Sequence, residues 1–120
     1  MSEIIRIGVT RRWSDVVIHN GTAHFVEVAD DPQQDTHGQV AQILAQAESR
    51  LLSIGSDKTQ MLQVLIYLSN LSHAPILNEL WDVWIPAGQA PSRACVQAGL
   101  AAGYQVEMVF TAAIAGSTST

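Results

Sequence analysis

The chain reads as an α+β sandwich, one mixed six-stranded sheet with two helices packed on one face. Three observations predict it. Apolar residues recur at helical spacing in two windows, 36–54 and 73–85. Several shorter windows are β-branched, alternating or continuously apolar. The two kinds follow one another as β-β-β-α-β-α-β-β, helices interrupting a sheet-forming chain.

The elements are justified in order. Residues 3–9 form a first strand. Residues 15–19 and 22–28 flank Asn20-Gly21, a strong two-residue hairpin signal. Residues 30–34 are loop. Thr36 with Gln39 three residues on resembles a capping box, and Val40, Ile43, Leu44, Ala47, Leu51 and Ile54 then mark one helix face, closed by Gly55. Residues 59–69 are short and nearly all apolar, a central strand covered on both faces. A second helix starts near Ser72 or His73, carries Pro75 in its first turn and Leu77, Leu80, Trp81 and Trp84 on its core face, and stops before Pro86. Two strands end the chain. Residues 1–115 are read as a single domain and residues 116–120 as a flexible tail.

Composition narrows the function. Charged residues make up 14% of the 120 residues, low against about 25% in soluble domains. So little charge favours a surface hidden against copies of the same chain. A net charge of −5 without a basic stripe argues against nucleic acid. No run approaches the roughly 20 apolar residues of a membrane span. A single cysteine and no signal-peptide layout suit the cytoplasm. The four histidines, 19, 24, 37 and 73, lack zinc-site spacing, and there is no phosphate loop, nucleophile elbow or dinucleotide fingerprint, so neither metal nor cofactor is expected.

The most informative segment is Pro91-Ser92-Arg93-Ala94-Cys95-Val96, then Gly99-Leu100 and Val106-Glu107-Met108. A charge on an apolar strand is tolerated when it is paired or used on a ligand. Alternation puts Arg93, Cys95 and Gln97 on one face of their strand. It puts Gln105, Glu107, Val109 and Thr111 on one face of the next. Residues 98–103 are read as closing a hairpin, with Cys95 nearly opposite Glu107 and Arg93 diagonally within reach. Arg93 is then either a structural arginine at a subunit interface or a clamp for a carboxylate. Cys95 lines the site as a small residue rather than a nucleophile, since reactivity needs a lowered pKa.

This pattern resembles the signature of the RidA/YjgF/YER057c/UK114 family, and the likeness runs from about Trp13 to Ile114. The resemblance implies the chorismate-mutase-like fold and a homotrimer with sites between subunits. It implies an enamine/imine deaminase that hydrolyses reactive 2-imino acids to 2-oxo acids and ammonia. Arg93 would hold the substrate carboxylate, Glu107 would orient or activate a water, and the backbone at Cys95 would contact the substrate. Asn78 matches an asparagine near the family's site, and Trp13 stands where many members carry tyrosine. One departure is clear: a Ser-Gly pair typical of imine deaminases is replaced by Val26-Glu27. Alternation predicts that only one of these two lines the cavity, and an inward Glu27 would repel a substrate carboxylate. The rival class is a non-catalytic trimer that binds small carboxylic acids. Endoribonuclease activity, reported for some relatives, is disfavoured by the acidic charge.

Overall fold

In the computed structural model, which describes residues 3–114, six strands and two helices build one layer of sheet and one of helix. The tail expected at 116–120 lies outside the described residues. The strands are β1 (Ile5–Ile7), β2 (Val16–His19), β3 (Thr22–Val28), β4 (Met61–Leu68), β5 (Ser92–Gln97) and β6 (Val106–Ala113). The helices are α1 (Thr36–Ser53) and α2 (Ala74–Trp84), with short 3-10 turns at Lys58–Gln60 and Leu71–His73.

Local chemistry accounts for the boundaries. Asn20 (φ 51°) and Gly21 (φ 75°) take the left-handed conformations a tight hairpin turn requires, and β2 and β3 pair antiparallel on either side. Helix α1 is capped one residue earlier than expected. Asp35, not Thr36, is its N-cap, and its carboxylate accepts from the Gly38 N–H at 2.8 Å. That frees Thr36 and Gln39 for longer-range contacts. The Thr36 hydroxyl meets His73 Nδ1 (2.8 Å) and Gln105 Oε1. Gln39, fully buried, donates Nε2 to the carbonyls of Pro32, Gln34 and Gly103 and accepts from the Gln105 N–H. Gly55, at φ 84°, follows the helix as anticipated.

The sheet order is β1-β2-β3-β6-β4-β5. The expected hairpin between the last two strands does not form. β5 pairs parallel to β4 at the sheet edge, because the intervening α2 makes β4-α2-β5 a crossover unit. β6 instead inserts between β3 and β4, antiparallel to both. Residues 98–105 carry the chain across the end of β4, tied by Ala98 N–H to Leu68 O and Ser69 N–H to Gln105 O, both 3.0 Å.

The core lies between helices and sheet. Phe25, Val64, Ile66, Leu68, Val106, Met108 and Phe110 face Val40, Ile43, Leu44, Ala47 and Leu51 of α1 and Leu77 and Trp81 of α2. Phe25 and Phe110 stack with ring centroids 4.9 Å apart. The opposite sheet face carries Val26, Val28, Leu65, Tyr67, Val96 and Val109 in adjoining rows. Val26 is 52% and Val96 47% exposed. This face, which also bears His24, Gln63, Thr111 and Glu107, has no covering layer among the described residues.

Candidate functional site

The predicted site residues fall into two groups. Arg93, Cys95 and Asn78 form the first. In the parallel β4–β5 register Arg93 pairs Val64 and Cys95 pairs Ile66, both core residues, so these side chains lie on the helix side of the sheet edge. Arg93 Nη2 donates to Asn78 Oδ1 of α2 at 2.8 Å. Its guanidinium carbon lies over the Trp81 ring, 5.2 Å from the centroid. Asn78 therefore lies against Arg93. Trp81, which the sequence reading placed only in the core, turns out to support the guanidinium. Partial burial pushes the Cys95 thiol above its ordinary range, against a smaller opposing pull from Arg93. Such a thiol is a poor nucleophile at neutral pH.

Glu107, Trp13, Val26 and Glu27 form the second group. They line a cavity of about 510 Å³ together with Ser14, Asp15, Val28, Asp30 and Arg50. Glu107 pairs across the strands with Val28 and Tyr67, which sets it on the uncovered face. Trp13, 62% exposed, walls the cavity rather than the core.

Arg93 and Glu107 thus sit on opposite faces of one sheet, with β4 between their strands. This corrects the expectation that they share a face within reach of each other. Alternation assigns residues to faces within each strand, but only the pairing partners say which face is which.

Val26 and Glu27 both line the cavity, contrary to the expectation that one alone would. β2 begins at Val16, opposite Phe25, so residues 26–28 of β3 have no β2 neighbour. Around that free edge the cavity reaches both faces. Glu27 turns toward α1, where Gln46 Nε2 donates to it at 3.0 Å and Arg50 Nε lies 3.6 Å from Oε2. Burial raises the Glu27 pKa; the Gln46 hydrogen bond and Arg50 oppose the shift, and the Asp30 charge adds to it. Gln46 and Arg50, four apart, share one helix face and meet Glu27 together, a tertiary contact that no local sequence signal shows.

Among the described residues no cluster of three or more His, Cys, Asp or Glu side chains is arranged to hold a metal ion, and no helix is long and apolar enough to cross a membrane.

Comparison with known proteins agrees with this architecture. The sequence model of the family described as Endoribonuclease L-PSP matches residues 4–114. The chain is 41% identical over 112 residues to the RutC family protein YoaB of Escherichia coli, covering 92% of this chain and 98% of that protein. It is 39% identical over 113 residues to a RutC family protein of Haemophilus ducreyi, covering 92% and 97%. A crystal structure of a YjgF family member from Neisseria meningitidis superposes with a TM-score of 0.87 at 36% identity, covering 93% of this chain and 95% of that one. A Pseudomonas aeruginosa protein superposes with a TM-score of 0.89 at 39% identity, covering 93% and 99%. With the fold, the signature strands and these relatives in agreement, the chain belongs to the RidA/YjgF/YER057c/UK114 family.

Proposed function

We propose that the chain is an enamine/imine deaminase whose sites are completed between copies of itself, in a homotrimer. The observation that supports this best is the split of the two key side chains. A small 2-imino acid cannot touch Arg93 and Glu107 of one protomer through a closed sheet, but it can touch Arg93 of one copy and Glu107 of another. The uncovered face that carries Glu107, with the exposed Val26 and Val96, supplies a surface for such association.

In this reading the Arg93 fork takes the substrate carboxylate. Glu107 accepts a proton from a water as its oxygen attacks C2 of the C=N group, giving a carbinolamine. That proton passes to nitrogen, the C–N bond breaks, and ammonia leaves as Glu107 takes the remaining hydroxyl proton and the C2 oxygen becomes the carbonyl of the 2-oxo acid. Orientation and one positioned base suffice, because such imines already hydrolyse in water. Glu27, held by Gln46 and Arg50, is not a free anion opposing the substrate.

The test is hydrolysis of enzymatically generated 2-iminopropanoate in competition with a trapping agent. Wild-type protein should protect the imine from trapping, and Arg93→Ala should not. Equal behaviour of the two proteins refutes the assignment.

One observation favours a second reading. Val26 brings methyl groups to the cavity where imine deaminases of the family carry a hydroxyl, which suits a non-catalytic binder of small carboxylic acids. Retained binding with lost turnover in Glu107→Gln identifies the enzyme; absence of turnover in wild type identifies the binder.

A further inference from the structure

The Arg93 guanidinium has five N–H donors on a flexible stem. On an edge strand such a side chain would sample many rotamers, and a carboxylate ligand would have to freeze them on binding. Here it is not left to do so. Asn78 Oδ1 takes one Nη2 hydrogen at 2.8 Å, and the Trp81 ring lies beneath the guanidinium carbon at 5.2 Å. Both partners come from α2, three residues apart and therefore on one helix face.

The two contacts differ in kind. The hydrogen bond occupies one donor, while the ring lies under the guanidinium carbon and uses none. The remaining donors stay available for a two-point grip on a carboxylate. Trp81 itself is 5% exposed and tilts against Trp84 at a centroid separation of 5.8 Å, so its ring is held in turn by the helix and the core. A rigid aromatic surface and one hydrogen bond thus fix where the cation rests before any ligand arrives.

We infer that Trp81 is a positioning residue for the carboxylate clamp, acting on the ligand only through the orientation it imposes on Arg93. The inference rests on the reading of Arg93 as that clamp, and deepens it. Trp81 stabilises the bound and free protein alike in its packing, but its π face acts on affinity.

The experiment separates packing from orientation with two variants and two measurements. Trp81→Leu keeps an apolar side chain without a π face; Trp81→Phe restores a ring. The Arg93 Nε–H resonance, assigned by its loss in Arg93→Lys, reports whether the guanidinium sits over an aromatic ring. Titration with 2-oxobutanoate reports carboxylate affinity. The wild-type resonance should be displaced by the ring current, the Leu variant should lose that displacement, and the Phe variant should keep most of it. The Leu variant should weaken 2-oxobutanoate binding about tenfold, or about 1.4 kcal/mol. The Phe variant should stay within about twofold of wild type, roughly 0.4 kcal/mol on the same scale. In turnover the loss should fall on KM, with kcat unchanged.

An undisplaced resonance in wild-type protein overturns the inference without need of any variant. So does equal affinity of the Leu variant and wild type. A different result isolates the underlying reading: if Arg93→Ala binds 2-oxobutanoate as wild type does, the clamp assignment itself fails, even where the resonance shows Arg93 resting on Trp81.

Discussion

Mixing two inactive variants tests the split site most directly. In one protomer Arg93 lies two strands from Glu107, in the row of Val64 and Phe110, and Glu107 is three residues farther along β6. With strands about 4.8 Å apart and about 3.3 Å of rise per residue, their Cα atoms are about 14 Å apart, with side chains on opposite faces. Each site should therefore draw its arginine from one copy and its glutamate from another. Arg93→Ala and Glu107→Gln are then each inactive alone but complementary together. If subunits are unfolded, mixed in equal amounts and refolded, a given site has an even chance of an intact arginine and an independent even chance of an intact glutamate. About a quarter of the wild-type turnover should return, whatever the number of subunits in the closed ring. The assay is 2-iminopropanoate hydrolysis per mole of chain, with unmixed variants as controls. A mixture as inactive as its components would refute the shared site, and substantial activity in either variant alone would refute the residue roles.

Three further predictions follow from named contacts. The raised Glu27 pKa means the folded chain holds that proton more tightly than the unfolded chain, so its contribution is fully present below the unfolded value of 4.5 and is lost as pH rises through the folded value. Melting curves should show wild type losing stability relative to Glu27→Gln across that interval as pH rises; the opposite trend contradicts the burial argument. Cys95, its thiol pushed up by burial, should react with a disulfide reagent at pH 7 more slowly than free cysteine, and Cys95→Ala should retain turnover within a few-fold. A fast-reacting thiol, or abolished turnover, would reinstate it as a chemical participant. Phe110→Ala removes a fully buried ring stacked on Phe25 and should cost about 3–5 kcal/mol in urea denaturation, whereas a change below about 1 kcal/mol would mean the core repacks freely.

The elements were legible because their signals are local. Asn20-Gly21 marked its hairpin, and Val40, Ile43, Leu44, Ala47 and Leu51 marked the buried side of α1. The cap of α1 lies one residue before the position the capping-box pattern predicts, since Asp35 and Thr36 are both competent and the choice depends on partners as remote as His73 and Gln105. Within β5 and β6 the sorting of side chains by face was right. What alternation does not carry is which strand lies beside which. β5 and β6 are neighbours in sequence but not in the sheet, because α2 returns β5 beside β4 and leaves the slot next to β3 for β6. That non-local choice turned an expected Arg93–Glu107 pair into two separated half-sites. The cavity edge near Val26 was hidden for a related reason, since it depends on where β2 begins.

The buried amide of Gln39 decides where the chain tolerates lengthening. It spans two surface segments at once, gripping the carbonyls at 32 and 34 on one side and the backbone at 103 and 105 on the other. An inserted residue in either segment would strand a polar group with no water to replace its partner. The connection at 86–91 carries no such tether from Gln39, so new loop sequence is better grafted there, beside the Arg93 edge, than across the end of β4.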